Sequence, residues 1–227
     1  MFEYIDRNQT DSLVLVTGWA FDSRIFEILD LPFNYFLFTE PLAKNFTAGL
    51  GKLLKKKCIN SISILGWSQG AFAASEFAAA NPEKVKKLIL IGARRRYDRV
   101  NLENIKVLLN KSKKAFLYKL YRQCFCDSEQ KEYTWFKDTL MKDYLDIMSL
   151  SVLEENLDYL SDANLNLEAL KNIKDITIIH GREDAVADID EAIEIRKSLP
   201  SSEFIIMEKT GHLPFLKEGF AEYLDEC

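Results

Sequence analysis

Short runs of aliphatic and aromatic residues recur along the chain, separated by longer segments in which apolar and polar positions repeat with a helical period. Uninterrupted apolar runs of this kind are typical of strands that are buried on both faces of a parallel sheet. They predict core strands at residues 12–16, 35–38, 61–65, 88–91, 176–181 and 204–207, with a short edge strand at 2–5.

The segments between these runs predict helices. They lie at residues 46–57, from the Ala-rich segment near 71 to about 81, at 190–199 and, as a terminal helix, from about 215. Asp22 is the candidate N-cap of a further amphipathic segment. Because strands and helices alternate, we predict an α/β fold with a mostly parallel sheet that helices cover on both faces.

The pattern changes after the strand at 88–91. From residue 94 to 166 it indicates no strong strand, but it predicts helices at 102–124 and 133–160. A helical block inserted at this point would lie over the carboxyl ends of the strands. We therefore predict a core formed by residues 1–93 and 167–227, and a helical cap, or lid, formed by residues 94–166.

The sequence Gly66-Trp67-Ser68-Gln69-Gly70 lies between a predicted strand and a predicted helix. Gly-x-Ser-x-Gly in this position is the nucleophile-elbow pattern, in which a sharp turn presents the serine hydroxyl above the sheet. The glycines are needed because a Cβ atom at either position would collide with neighbouring backbone. The helix that follows directs its free N–H groups towards whatever the serine attacks. Ser68 is therefore the predicted nucleophile.

A serine nucleophile needs a base, and the base needs a group that orients it. The chain has two histidines. His212 lies in a predicted loop after the last strand, where the chain order of serine, acid and histidine requires the base. His180 ends a predicted strand, and we expect it to have a structural role near the site. Asp184 is the predicted acid, and its neighbour Glu183 is expected to face solvent.

An oxyanion hole needs two fixed N–H donors. We predict the backbone N–H of Gln69, directly after the nucleophile, and that of Trp19, in the loop after the first core strand. The side chains of Trp19, Trp67 and Leu213 are expected to line the substrate pocket. For Trp67, a packing role behind the elbow is an equal alternative.

Composition and charge exclude several other classes of function. The net charge of −5 gives no indication of nucleic-acid binding. The four cysteines and two histidines show no metal-binding spacing, so we expect neither a metal nor another cofactor, and we expect reduced thiols. The sequence has no signal-peptide pattern and no apolar run long enough to cross a bilayer. We expect a cytoplasmic protein without a membrane partner, acting as a monomer.

Several motifs together resemble the α/β-hydrolase superfamily over nearly the whole chain. They are the strand order, the elbow at 66–70, His-Gly-x-x-Asp at 180–184 and Gly-His-x-Pro-Phe at 211–215. More narrowly, Gly-Trp at 18–19 followed by Gly-Trp-Ser at 66–68 is similar to the carboxylesterases of biotin synthesis. These enzymes cleave the methyl ester of pimeloyl-acyl carrier protein. The resemblance implies the α/β-hydrolase fold and the same catalytic and oxyanion residues as those named above.

The first part of the predicted cap is strongly basic. Residues 94–122 contain ten basic side chains and two acidic ones, a net charge of about +8. Such a run is often only a solvated face, but a positive patch beside a cleft also attracts anionic partners. Acyl carrier proteins are acidic, so the resemblance implies an acyl ester that such a carrier presents. The expected carrier contacts are Arg94, Arg95, Lys111, Lys113, Lys114 and Arg122.

The sequence thus predicts a serine carboxylesterase whose substrate, by resemblance, is the methyl ester of pimeloyl-acyl carrier protein. Two alternatives stay open. Thioesterases and C–C bond hydrolases use the same triad chemistry, and the sequence does not separate them from esterases. A non-catalytic ligand-binding protein of the same fold is the second alternative, and it predicts binding without product release.

Overall fold

The computed structural model describes residues 1–224 and contains one seven-stranded sheet. Its order is β1-β3-β2-β4-β5-β6-β7. Only the edge strand β1 runs antiparallel to its neighbour, so the predicted mostly parallel sheet is confirmed. The strands are β1 (Phe2–Ile5), β2 (Ser12–Val16), β3 (Asn34–Phe38), β4 (Ile62–Trp67), β5 (Val85–Ile91), β6 (Ile176–Gly181) and β7 (Glu203–Met207).

Eight α-helices accompany the sheet within the described residues. They are α1 (Phe46–Lys57), α2 (Gln69–Ala80), α3 (Arg99–Gln123), α4 (Gln130–Phe136), α5 (Lys142–Ile147), α6 (Leu150–Asp162), α7 (Leu167–Leu170) and α8 (Ile189–Ser198). The bounds of α1 are those predicted, with three lysines in its last turn, where they favour the helix dipole. Asp22 caps the 3-10 helix Ser23–Phe26, as predicted. In residues 1–224, no helix combines the length and the apolar character that crossing a bilayer requires.

The central strands explain the uninterrupted apolar runs in the sequence. Leu13 and Leu15 of β2 and Ile64 and Leu65 of β4 are fully buried, because helices cover both faces of the sheet. Helix α2 packs on β4 and β5 through a surface of small side chains, which lets its backbone approach the sheet closely. This close approach fixes where the helix begins, and therefore where the residue before it lies.

Three predicted helices differ from the structure. The helix predicted at 102–124 corresponds to α3, which is kinked at Ser112, where φ is −164° and ψ is 93°. The segment 133–160 is broken after α5 at Met148 and Ser149, which have extended ψ angles of 114° and 131°. The break lets Tyr144 on one side and Leu153 on the other both be buried. The terminal helix expected from about residue 215 is wrong within the described residues. There the chain forms 3-10 turns, and Gly219 at φ 81° separates them, a conformation that does not continue a helix.

Residues 94–166 contribute no strand to the described sheet and carry helices α3 to α6. An antiparallel bridge between Arg96 and Asn164 brings the two ends of this segment together. Side chains join it to the loop after β2, where the Tyr121 hydroxyl donates to the Ala20 carbonyl at 2.8 Å. We keep the name cap for residues 94–166, and its role as a separate lid stays a prediction.

Candidate active site

Strand β4 ends in a strained turn that carries Ser68. This residue has φ 54° and ψ −114°, a conformation that L-residues rarely adopt. Its N–H donates to the Ile91 carbonyl at 2.8 Å, so the end of β5 holds the turn. A Cβ atom on Gly66 would lie 2.4 Å from the Gly70 carbonyl oxygen, and one on Gly70 would lie 2.3 Å from that of Val16. The packing therefore explains why both positions are glycine.

Asp184 and His212 form a buried hydrogen-bonded pair. His212 Nδ1 donates to Asp184 Oδ2 at 2.7 Å, and Asp184 Oδ1 accepts the N–H groups of Val186 and Ala187, each at 2.8 Å. Burial by itself raises the pKa of Asp184, but the charge and hydrogen bond of His212 outweigh it, so the net shift is downward. The carboxylate stays ionised at neutral pH. Because it binds the Nδ1 hydrogen, Nε2 of the neutral ring is left free to accept a proton.

Ser68 and His212 line the same cavity. Gly92 follows Ile91, whose carbonyl accepts the Ser68 N–H, and it lies against the imidazole. A Cβ atom on Gly92 would lie only 2.9 Å from His212 Cε1. In the part of the chain that the structure describes, the Ser68 hydroxyl does not hydrogen-bond to the imidazole. Without a substrate, catalytic contacts of this kind are often long and tighten on binding. The catalytic roles of these side chains stay a prediction.

Trp67 fixes His212 from the side of the elbow. Its Nε1 donates to the His212 carbonyl at 2.7 Å, and its fully buried ring lies 5.4 Å from the imidazole, measured between ring centroids. Trp67 also borders the cavity. Trp67 thus packs behind the elbow and also borders the cavity, while its role in a substrate pocket stays a prediction.

The cap holds the other side of the His212 loop. Glu129, which is 1% exposed, lies between α3 and α4. Its Oε2 accepts the N–H groups of Cys126 and Gly211, both at 2.9 Å, while the His212 N–H donates to the Cys124 carbonyl at 2.8 Å. Burial raises the pKa of Glu129, and these N–H bonds oppose that shift only in part. The sequence pattern gave no indication of Glu129, since one acid in a polar loop carries no motif.

His180 has the structural position expected for it. It is fully buried, and Nε2 donates to the Ala187 carbonyl at 2.9 Å. Burial lowers its pKa more than the charge of Asp184, 3.6 Å away, raises it, so the ring is neutral at pH 7. His180 thereby fixes the loop whose N–H groups bind the carboxylate.

The predicted oxyanion donors belong to the residue after Ser68 and to the loop after β2. Gln69 is the first residue of α2, so its N–H has no carbonyl one turn earlier in the helix. Trp19 lines the cavity, and its Nε1 donates to the Leu153 carbonyl of α6 at 3.0 Å. The oxyanion role of both N–H groups stays a prediction. Leu213, expected at the pocket, lies in the core instead, at 1% exposure.

The cavity at Ser68 has a volume of about 290 Å³. Most of its wall is apolar and comes from the cap. Tyr97, which the sequence did not indicate, lies beside the nucleophile. Burial raises the pKa of its phenol, while the charge of Arg94 and the neighbouring Ser68 hydroxyl oppose that shift. The apolar wall is formed by Leu102, Ile105, Phe116, Leu120, Leu157 and Leu160.

A family model described as alpha/beta hydrolase fold matches residues 47–219. The chain belongs to the α/β-hydrolase family. It is similar to the pimeloyl-[acyl-carrier protein] methyl ester esterase of Nitrosomonas europaea, with 23% identity over 179 residues, which cover 73% of this chain and 69% of that protein. The predicted family and fold are thus confirmed.

Two solved structures are similar to this α/β-hydrolase over almost the whole length of its chain. An esterase (EaEST) from Exiguobacterium antarcticum has a TM-score of 0.84 at 19% identity, covering 99% of this chain and 93% of that chain. A bromoperoxidase from Bacillus anthracis has the same TM-score and coverage at 16% identity. At such identities the likeness shows the fold alone, and it is shared by proteins named for different reactions.

The six basic residues that were expected to contact a carrier protein lie in different surroundings. Arg94 borders the cavity, and Lys113 donates to the Met148 carbonyl at 2.6 Å. Lys114 pairs with Asp146, and Arg122 lies 3.4 Å from Asp127. The other two, Arg95 and Lys111, have exposed side chains.

The hydrolase cap is nearly neutral as a whole. Residues 94–166 contain thirteen basic and twelve acidic side chains, because acids on α5 and α6 follow the basic helix α3. Arg99 pairs with Asp162, and Lys106 pairs with Asp158. The basic run of the sequence is therefore largely compensated within the cap. Within residues 1–224, no group of three or more His, Cys, Asp or Glu side chains is arranged to hold a metal ion.

Proposed function

We propose that this α/β-hydrolase is a serine carboxylesterase. The observation that carries the proposal is the buried Asp184–His212 pair on the same cavity as Ser68, which a strained turn presents. A carboxylate that orients an imidazole near a serine hydroxyl is the arrangement that activates serine for acyl transfer. A bare strand-to-helix turn would require none of these three groups.

The reaction follows from the roles of these atoms. Ser68 Oγ attacks the ester carbonyl while His212 Nε2 accepts the hydroxyl proton, and Asp184 stabilises the imidazolium that forms. The N–H groups of Trp19 and Gln69 bind the oxyanion of the tetrahedral intermediate. The imidazolium then protonates the departing alcohol. A water molecule, activated by the same imidazole, hydrolyses the acyl-enzyme and restores Ser68.

For the substrate, we propose the methyl ester of pimeloyl-acyl carrier protein. Three observations support it: the similarity to the Nitrosomonas europaea esterase, the apolar wall of the cavity and the exposed bases Arg95 and Lys111. The volume of about 290 Å³ lies at the lower end of the ~300–1,000 Å³ typical of small-molecule sites, which suits a short acyl chain. The near neutrality of the cap leaves carrier binding with weaker support than ester hydrolysis.

Steady-state hydrolysis of p-nitrophenyl butyrate tests the chemistry. Ser68→Ala is expected to lower kcat by at least about 10³-fold, because no other group replaces the nucleophile. Ser201→Ala is the matched control, since Ser201 is an exposed serine in the turn before β7. If Ser68→Ala keeps an activity that is lost when the protein is unfolded, Ser68 is not the nucleophile and the mechanism is overturned.

The substrate proposal has its own tests. Methyl pimeloyl esters and matched thioesters, assayed side by side, separate an esterase from a thioesterase. Complementation of a strain that lacks its own pimeloyl esterase then tests the pathway, with the Ser68→Ala gene as the matched control. Growth without biotin that requires Ser68 supports the proposal. Failure of the intact gene to restore growth would remove the pimeloyl substrate while leaving ester hydrolysis standing.

A further inference from the structure

Arg94 carries a positive charge in the wall of a mostly apolar cavity. It lies three residues beyond β5 and borders the same space as Ser68. Its guanidinium carbon lies 4.5 Å from the centroid of the Tyr97 ring, and Nη2 donates to the Val186 carbonyl at 2.7 Å. These two contacts hold the guanidinium at the cavity and away from the outer surface of the cap.

The guanidinium is incompletely satisfied within the described residues. Its Nε is buried and has no hydrogen-bond partner there, and no carboxylate of residues 1–224 lies within 4.0 Å of the group. A buried donor on a charged group is costly to leave without an acceptor. Three other cap bases contrast with it, since Arg99, Lys106 and Lys114 all pair with acids. The protein thus keeps one uncompensated cation at its cavity.

We propose that Arg94 forms an anion subsite, and that the substrate carries an oxyanion group, a carboxylate or a phosphate, in addition to the ester that Ser68 attacks. A guanidinium matches such oxygens because its N–H groups form a planar fork. The amides of Asn101 and Gln123 line the same cavity and are further candidate donors to the anion. This inference rests on the proposed ester hydrolysis, but it does not depend on the pimeloyl substrate.

Two classes of ester substrate carry such an anionic group. A monoester of a dicarboxylic acid has a carboxylate at the far end of its acyl chain, whereas an acyl group on a phosphopantetheine arm has a phosphate. The apolar residues beside Arg94 would hold the methylene chain in either case. The subsite makes Arg94 a specificity-determining residue that distinguishes charged from neutral esters.

Two pairs of substrates, whose members differ in one charged group, test the proposal. The first is mono-p-nitrophenyl glutarate against p-nitrophenyl 5-methylhexanoate, in which an isopropyl group replaces the carboxylate. The second is monomethyl pimelate joined to phosphopantetheine against the same ester on pantetheine, followed by methanol release. We expect a preference of about 10- to 100-fold in kcat/KM for the charged member of one pair. The pair that shows it identifies the carboxylate or the phosphate.

Arg94→Met is expected to bring that preference close to one, and Arg94→Lys is expected to keep part of it. Arg96→Met is the matched control, because Arg96 is an exposed base two residues away that does not line the cavity. It removes the same charge from the cap, so it should keep the preference. The subsite would be overturned if the unaltered protein had the same kcat/KM for both members of each pair. It would also be overturned if Arg94→Met and Arg96→Met lost the preference equally.

Calorimetry separates this proposal from the proposed chemistry. The Ser68→Ala variant is titrated with mono-p-nitrophenyl glutarate and with its neutral isostere, so no turnover is needed. If the charged ester binds more tightly than the neutral one, and Arg94→Met abolishes this difference, the subsite is supported even if ester hydrolysis by Ser68 fails. Activity on both neutral esters without any charge preference in either assay keeps the esterase and removes the subsite.

Discussion

The core side of the cavity and its cap side are held by different kinds of contact. On the core side, Asp184 is bound by N–H groups two and three residues away, and Ser68 is held by the end of the adjacent strand. On the cap side, the hydrogen bond from Gly211 to Glu129 spans 82 residues, and that from Trp19 to Leu153 spans 134. The contacts of Asp184 and Ser68 thus join neighbouring strands and loops of the core, whereas the two cap contacts join distant segments of the chain.

This contrast separates chemistry from selection of substrate. The groups assigned to bond breaking lie on the turn after β4 and on the loops after β6 and β7. The groups that shape the cavity belong to helices α3 and α6, which the sheet does not hold directly. Substitutions on the core side should therefore reduce turnover of every ester, whereas those on the cap side should act in smaller steps and according to the substrate.

The largest effect is expected for Asp184→Asn. An amide in place of the carboxylate favours the wrong tautomer of His212, so kcat should fall by roughly 10⁴-fold without loss of the fold. Glu183→Gln is the control, because this neighbouring acid is exposed and should change kcat by less than about twofold. Hydrolysis of p-nitrophenyl butyrate and the circular dichroism spectrum measure both. A loss below tenfold in Asp184→Asn would contradict the assigned role.

The next largest effect concerns stability. Gly70→Ala places a Cβ atom 2.3 Å from one backbone oxygen and 2.7 Å from another, and neither can move freely. We expect a loss of about 3 kcal/mol in the free energy of unfolding, measured in urea. Gly51→Ala, in α1, is the matched control, since nothing lies within 4 Å of the added atom. There the better helix propensity of alanine should stabilise by up to about 1 kcal/mol. Similar effects at both glycines would show that the elbow is not tightly packed.

A smaller effect on turnover is expected for Glu129→Gln on the cap side. The amide replaces one of two accepting oxygens, so the N–H bonds to Cys126 and Gly211 weaken and the His212 loop shifts. We expect kcat to fall about tenfold with little change in KM, because positioning and not binding is affected. Asp127→Asn, whose side chain is 98% exposed, is the control. A change in KM alone would assign Glu129 to binding of the substrate instead.

The smallest effect is in the pH dependence of stability. Burial raises the pKa of Glu129 above its ordinary 4.5, so the folded state favours the protonated acid. The contribution of the protonated acid to the stability of the folded state is complete below about pH 4.5. It is lost as the pH rises through the higher pKa of Glu129 in the folded state. The Tm of Glu129→Gln should therefore improve relative to the unaltered protein as the pH rises from 4.5 to 7. A difference in Tm that is constant over this range would contradict the raised pKa.

The sequence could place Ser68, Asp184 and His212 near one edge of the sheet, because each of them follows a strand, while their catalytic roles stay a prediction. The apolar runs fixed the strands, and the elbow, the loop acid and the loop histidine could each be placed by the strand that precedes them. Glu129, Tyr97 and the inward direction of Arg94 could not be predicted in this way. Their roles depend on which segment of the cap packs against which loop of the core. Local patterns do not carry that information.

Labelling with a fluorophosphonate tests the central claim most directly, because the reagent reacts preferentially with a serine that an adjacent base activates. We expect peptide mapping to show a single adduct on Ser68 in the unaltered protein, greatly slowed labelling in Asp184→Asn and none in Ser68→Ala. An adduct on another residue, or undiminished labelling of Ser68→Ala, would contradict the account.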